Sequence, residues 1–133
     1  MANYIFPSHY PKDCPPKPHN GKNGTYYRLV INNNKSDPLH FKSYYEGNTK
    51  PHLELNKACS RRALSIFKDN EEVINLSKQF KPLGKFIATL DLKGGHGVVH
   101  EEPSYAHKTH HNWWVPMGVI AQNFCLKIQG PIY

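Results

Sequence analysis

RALSIFKDNEEVINLSKQFKPLGKFIATLDL, residues 62–92, sets the fold class, because its periodicity changes twice within one stretch. NKACSRRALSIF (56–67) starts with helical propensity and passes into ALSIF, whose branched and aromatic residues favour an extended chain. KDNEEVINLSKQF (68–80) then reads as a helix. Asp69 or Asn70 can cap it, Glu71 and Glu72 suit its positive end, and Val73, Ile74, Leu76 and Phe80 form an apolar stripe. Pro82 and Gly84 end it, and GKFIATLDL (84–92) predicts a buried strand. A strand, a capped helix and a strand in succession argue for an α+β fold.

Outward from this stretch the pattern is mostly extended. TYYRLVIN (25–32) lies between the turn-forming clusters NGKNG and NNNKSD and predicts a strand. PLHFKSYYEGNTKPH (38–52), broken by Pro and Gly, reads as a loop with a short extended piece. After KGGHG, GVVHE (97–101) is expected to pair as a hairpin with the preceding strand, and HNWWVPMGVIAQNFCLKI (111–128) supplies one or two more strands, with Pro116 at an edge or bend. Residues 1–24 hold five prolines within FPSHYPKDCPPKP; they form an irregular arm, with Tyr4, Ile5, Phe6 and Tyr10 available to pin it to a single domain spanning 25–133. The expected architecture is one compact α+β domain, an antiparallel or mixed sheet with one or two helices.

Seventeen Lys and Arg against ten Asp and Glu leave a net charge of +7, which favours an anionic ligand, a nucleotide or nucleic acid, or an acidic protein as partner. Nowhere do eighteen apolar residues run together, so no membrane partner is expected. Cys14, Cys59 and Cys125 are odd in number and lack CxxC spacing; this argues against a disulfide framework and a zinc knuckle, and predicts a reduced, cytoplasmic protein.

HKTHHNWW (107–114) is the densest concentration of chemistry. In a strand, His107 and His111 stand ~13 Å apart at ~3.3 Å per residue, too far for one ion, so no metal is expected. Adjacent side chains alternate faces, so one of His110 and His111 turns to a pocket, and one of Trp113 and Trp114 to the core while the other lines a rim. Histidine is suited to proton transfer near neutral pH, and a base, an acid and a nearby cation suffice for metal-independent RNA cleavage. Aromatics among lysines equally suit passive binding of RNA or single-stranded DNA.

Taken together, the strand with its hydroxyl residue Ser65, the acid-capped helix and the strand after Gly-Lys resemble the arrangement in ADP-ribosyltransferase-like domains, over residues 25–102 at most. That resemblance implies an NAD-handling enzyme of toxin or effector type. On it, Arg28 in YYRLV would anchor NAD, Ser65 would position the ribose, and Glu101 or Glu102 in VVHEE would be the carboxylate that steadies the cationic sugar. Tyr44, Tyr45 and Trp114 would complete the NAD site. The chain lacks the Ser-Thr-Ser triplet and the Gln-x-Glu or Glu-x-Glu pair of that family. Three functions follow as expectations: NAD-dependent transfer or glycohydrolysis, histidine-based nucleic-acid cleavage or binding, and a non-enzymatic module that recognises an acidic protein.

Overall fold

The computed structural model describes residues 4–47 and 57–133. The loop expected over 38–52 therefore lies outside the described residues from 48 onward, as does Asn56. Six strands form one antiparallel sheet: β1 (Gly24–Val30), β2 (Leu64–Phe67), β3 (Phe86–Leu92), β4 (Val98–Glu101), β5 (His110–Trp114) and β6 (Cys125–Gln129). Their order is β4-β5-β2-β1-β3-β6, and among the described residues two α-helices, α1 (Tyr44–Gly47) and α2 (Asn70–Gln79), complete an α+β fold. Among the described residues no helix is long and apolar enough to cross a membrane.

α2 forms where its sequence signals place it. The Asp69 carboxylate accepts the Glu71 N–H at 2.9 Å, satisfying one of the orphan donors of the first turn. Val73 is fully buried against Phe67 and Ile87, with Ile74 and Leu76 half-covered. Phe80, expected on the same stripe, is 55% exposed, because the helix has ended by that residue and its backbone no longer follows the helical face. The return into β3 is held by Ser77, whose buried hydroxyl donates to the Gly84 carbonyl at 2.6 Å. Gly84 has φ of +118°, and a Cβ there would stand 2.2 Å from the Val30 carbonyl oxygen, so only glycine fits.

The described part of the loop expected over 38–52 holds a 3-10 turn, Pro38–Phe41, and the helical turn α1, with Lys42 extended between them. One expectation about strands is corrected. β4 does not pair with β3, because β3 is already flanked by β1 and β6. The chain instead crosses the sheet at KGGHG, and β4 becomes the edge partner of β5.

The sheet is covered on both faces. One face carries the main core of Tyr26, Leu64, Ile66, Leu90 and Trp113. The other is covered at one end by α2 and at the other by the N-terminal arm, whose Tyr4, Phe6 and Tyr10 pack on Ala63, Val98 and Trp114. Ile5 is 72% exposed and pins nothing by its side chain; its carbonyl accepts the Met117 N–H. The arm is also bonded covalently, for Cys14 and Cys59 form a disulfide, while Cys125 is free and buried. This overturns the expectation of three reduced cysteines: the bond joins residues 45 apart in sequence, a proximity created by folding the arm back over the sheet.

Candidate active site

Between α2 and the arm, the second sheet face is left uncovered at its middle, and a cleft of about 480 Å³ opens there. Strand parity decides what it contains. Ser65 is opposite Asn112, and Phe67 opposite His110, so these four side chains share one face. His111 points to the other face, where its ring packs edge-on at 5.2 Å against Tyr26. The same parity separates the two glutamates: Glu101 pairs with His111, while Glu102 lies with His110.

His110 is the centre of the cleft floor. Its Nε2 lies 3.0 Å from the Ser65 hydroxyl oxygen, and its Nδ1 lies 3.0 Å from the Glu102 carbonyl oxygen and 3.9 Å from that residue's carboxylate. A carbonyl oxygen only accepts, so Nδ1 carries the proton. In the neutral ring Nε2 is then a bare acceptor facing Ser65 Oγ–H, the arrangement in which an imidazole can remove a hydroxyl proton. Buried Asn112 donates to the Glu102 carboxylate at 2.7 Å and fixes it beside the ring. Phe67, 5.2 Å from the imidazole between ring centres, walls it on the α2 side.

The strand start that carries His110 is tied to α2. The Thr109 N–H donates to both Glu72 carboxylate oxygens at 3.1 Å, and its hydroxyl donates to Oε2 at 2.7 Å. The Asp69 N–H in turn donates to the Thr109 hydroxyl at 3.1 Å. Helix and strand are thus clamped one residue before the histidine.

Arg28 lies in the cleft wall, but its guanidinium is largely occupied. β1 and β2 pair only at Tyr27↔Phe67. Beyond that point Arg28 fills the gap, donating to the carbonyls of His40 (2.8 Å), Ser65 (3.0 Å) and Lys42 (3.0 Å). Burial lowers its pKa from the ordinary arginine value to about 10, with Glu46 acting in the opposite sense, so it stays charged at neutral pH. It therefore braces the backbone under Ser65, a role that charge alone does not announce in sequence.

Of the other expected site residues, Ser65, Tyr44, Glu102 and His110 line this cleft together with Arg28. Glu101 lies on the opposite face in a 3.6 Å ion pair with Lys22. Tyr45 stacks on His9 at 4.4 Å beneath the Arg62 guanidinium. Trp114 is 2% exposed and donates to the Cys59 carbonyl at 2.9 Å, and Trp113 is buried too, its indole donating to the His96 carbonyl. The expectation of one rim tryptophan fails because the disulfide-linked arm seals the face on which Trp114 stands.

The cleft includes residues that sequence reasoning passed over: Asn112, Lys42, Lys57 and Arg61. Asn112 was within reach, since it is two residues from His110 on the same strand face. Lys42 was not, because its segment is remote from Ser65 in sequence; Lys57 and Arg61 stand eight and four residues before Ser65, but in an irregular stretch whose course local pattern does not set. Arg61 lies 3.9 Å over the Tyr44 ring, joining the two segments that supply the cationic wall. Among the described residues, four Lys and Arg side chains line the cleft against a single carboxylate, that of Glu102. No family model, curated protein or solved structure matches this chain.

Proposed function

We propose that the protein is a nucleophilic hydrolase or transferase acting on an anionic substrate, with Ser65 as nucleophile and His110 as general base. The observation that carries this reading is the imidazole held between the Ser65 hydroxyl and the Glu102 carbonyl, at 3.0 Å from each, on the floor of a cation-lined cleft. Ser65 Oγ attacks the electrophilic centre while Nε2 takes its proton; the ring then returns that proton to the leaving group. The Glu102 carbonyl and its nearby carboxylate hold Nδ1–H and favour the transient imidazolium. The surrounding cations supply a field that stabilises developing negative charge.

The test is turnover of activated carboxylic and phosphoric esters. Ser65→Ala and His110→Ala are each expected to lower kcat/KM by roughly 10²- to 10⁴-fold. Turnover that persists in Ser65→Ala refutes the assignment.

NAD remains a second reading, favoured by Ser65, Tyr44 and Glu102 meeting in this one cleft. Because Arg28 is engaged with three carbonyls, the pyrophosphate contacts would pass to Lys42 on the facing wall. Release of nicotinamide, lost in Glu102→Gln, would support it. We also propose an oxidising compartment in place of the expected cytoplasm, since a structural bond such as Cys14–Cys59 is favoured where thiols are not kept reduced.

A further inference from the structure

The chemical character of the cleft changes across Ser65. Ser65 and Phe67 point to one face of β2 at an interval of about 6.6 Å, and Ala63 precedes the strand in extended backbone, so Ser65 stands between two neighbourhoods. Before it in the chain lie Lys57 and Arg61, which meet Lys42 and Tyr44 across the cleft. Beyond it, Phe67, Leu29, Leu76 and Leu83 make an apolar wall, with the His107 ring 6.0 Å from that of Phe67 at its edge. Leu83 is 48% exposed, so this end of the wall stays open to solvent among the described residues.

A simple phosphodiester or an uncharged short ester would leave one of these neighbourhoods unused. We propose, building on the reading of Ser65 and His110 as a nucleophile–base pair, that the substrate is an amphiphilic carboxylic ester. Its aliphatic acyl group lies along Phe67, Leu29, Leu76 and Leu83, and its anionic alcohol portion lies against Lys42, Lys57 and Arg61. Ser65 Oγ adds to the carbonyl carbon as His110 Nε2 takes the hydroxyl proton. The bond from that carbon to the alcohol oxygen then breaks, and the proton passes from Nε2 to the departing alkoxide. Water, deprotonated by the same nitrogen, adds to the acyl carbon; the bond from that carbon to Ser65 Oγ then breaks, the proton passes from Nε2 back to Oγ, and the carboxylic acid leaves. No oxidant, reductant or metal enters the balance.

The experiment compares two series of aryl esters with acyl chains of two to eight carbons: 4-acyloxybenzenesulfonates and uncharged p-nitrophenyl esters. Burial of a methylene corresponds to about fourfold in kcat/KM, and that gain per carbon is expected in both series until the wall is filled. The slope is expected to fall in Leu83→Ser. Lys42→Gln is expected to raise KM more for the sulfonates than for the p-nitrophenyl esters. Turnover that needs Ser65 but shows no gain with chain length, or no charge-selective effect of Lys42→Gln, overturns the amphiphile assignment while leaving the nucleophile–base pair standing. Absence of Ser65-dependent turnover of any ester overturns both.

Discussion

Breaking the Cys14–Cys59 bond is the perturbation that most changes this fold for the least change in side-chain volume. The bond closes a loop spanning 45 residues. In the chain-entropy treatment a closed loop of that length corresponds to about 4 kcal/mol at 25 °C, a large part of the 5–15 kcal/mol typical of a whole domain. The bond also secures contacts that the reduced chain would have to hold alone: Tyr4, Phe6 and Tyr10 over Trp114, the Trp114 indole to the Cys59 carbonyl, and the Arg62 guanidinium to the carbonyls of His9 and Ala58. The Cys14→Ser, Cys59→Ser double variant should lose about 3–4 kcal/mol in urea unfolding followed by tryptophan fluorescence, because Trp114 lies directly under the arm. Addition of dithiothreitol to the wild type should lower its midpoint similarly and leave the variant unchanged. Thiol titration of the unfolded oxidised protein should find one free cysteine, Cys125. Three free thiols, or equal stability of variant and wild type, would refute the reasoning.

The other predictions concern the framework of the cleft. Arg28→Met should cost roughly 3 kcal/mol in denaturant unfolding by leaving the carbonyls of His40, Lys42 and Ser65 without their donor, and Arg28→Lys should recover little, since an ammonium cannot reproduce the planar fork. Gly84→Ala should lower stability by more than about 2 kcal/mol, through positive φ and collision with the Val30 carbonyl; an unchanged melting temperature would contradict the turn geometry. Glu72→Ala should cost about 1–2 kcal/mol and raise amide exchange at Thr109 and His110, as the clamp from α2 to β5 is lost. Burial, assisted by Lys22 and His110 and opposed by the Thr109 carbonyl and Glu101, holds His111 below its ordinary 6.5. The unfolded chain then binds the proton more readily, so this group's contribution is present above pH 6.5 and is lost as pH falls through the lowered folded value. Unfolding midpoints between pH 7.5 and 5 should accordingly fall less steeply in His111→Gln than in wild type.

Local pattern carried much of this architecture. The capped helix α2, the strands on either side of it and the bend at Pro116 were legible because Asp69, the stripe through Val73, and the Pro and Gly punctuation act over a few residues. Strand alternation also told His110 from His111 up to a choice of face. What the pattern did not carry was sheet order: KGGHG resembles a hairpin turn, and only the occupation of both β3 edges by β1 and β6 sends β4 across to β5. Trp114 was misassigned for a related reason, since the arm that buries it is brought there by a cysteine pair far apart in sequence. Arg28 shows the same limit at the site. Its charge is plain in YYRLV, but its task depends on a short β1–β2 ladder that leaves carbonyls to be satisfied. Glu101 and Glu102 were equivalent in sequence and are separated by parity at the end of β4.

The most direct test of the central claim is covalent capture of the nucleophile by a serine-directed fluorophosphonate, read by peptide mass spectrometry. The account predicts one stoichiometric adduct, on Ser65, formed by the oxidised wild type and reduced at least a hundredfold in rate in His110→Ala. Labelling of Ser65 at the same rate in His110→Ala, or no adduct on Ser65 in the folded wild type, would contradict it.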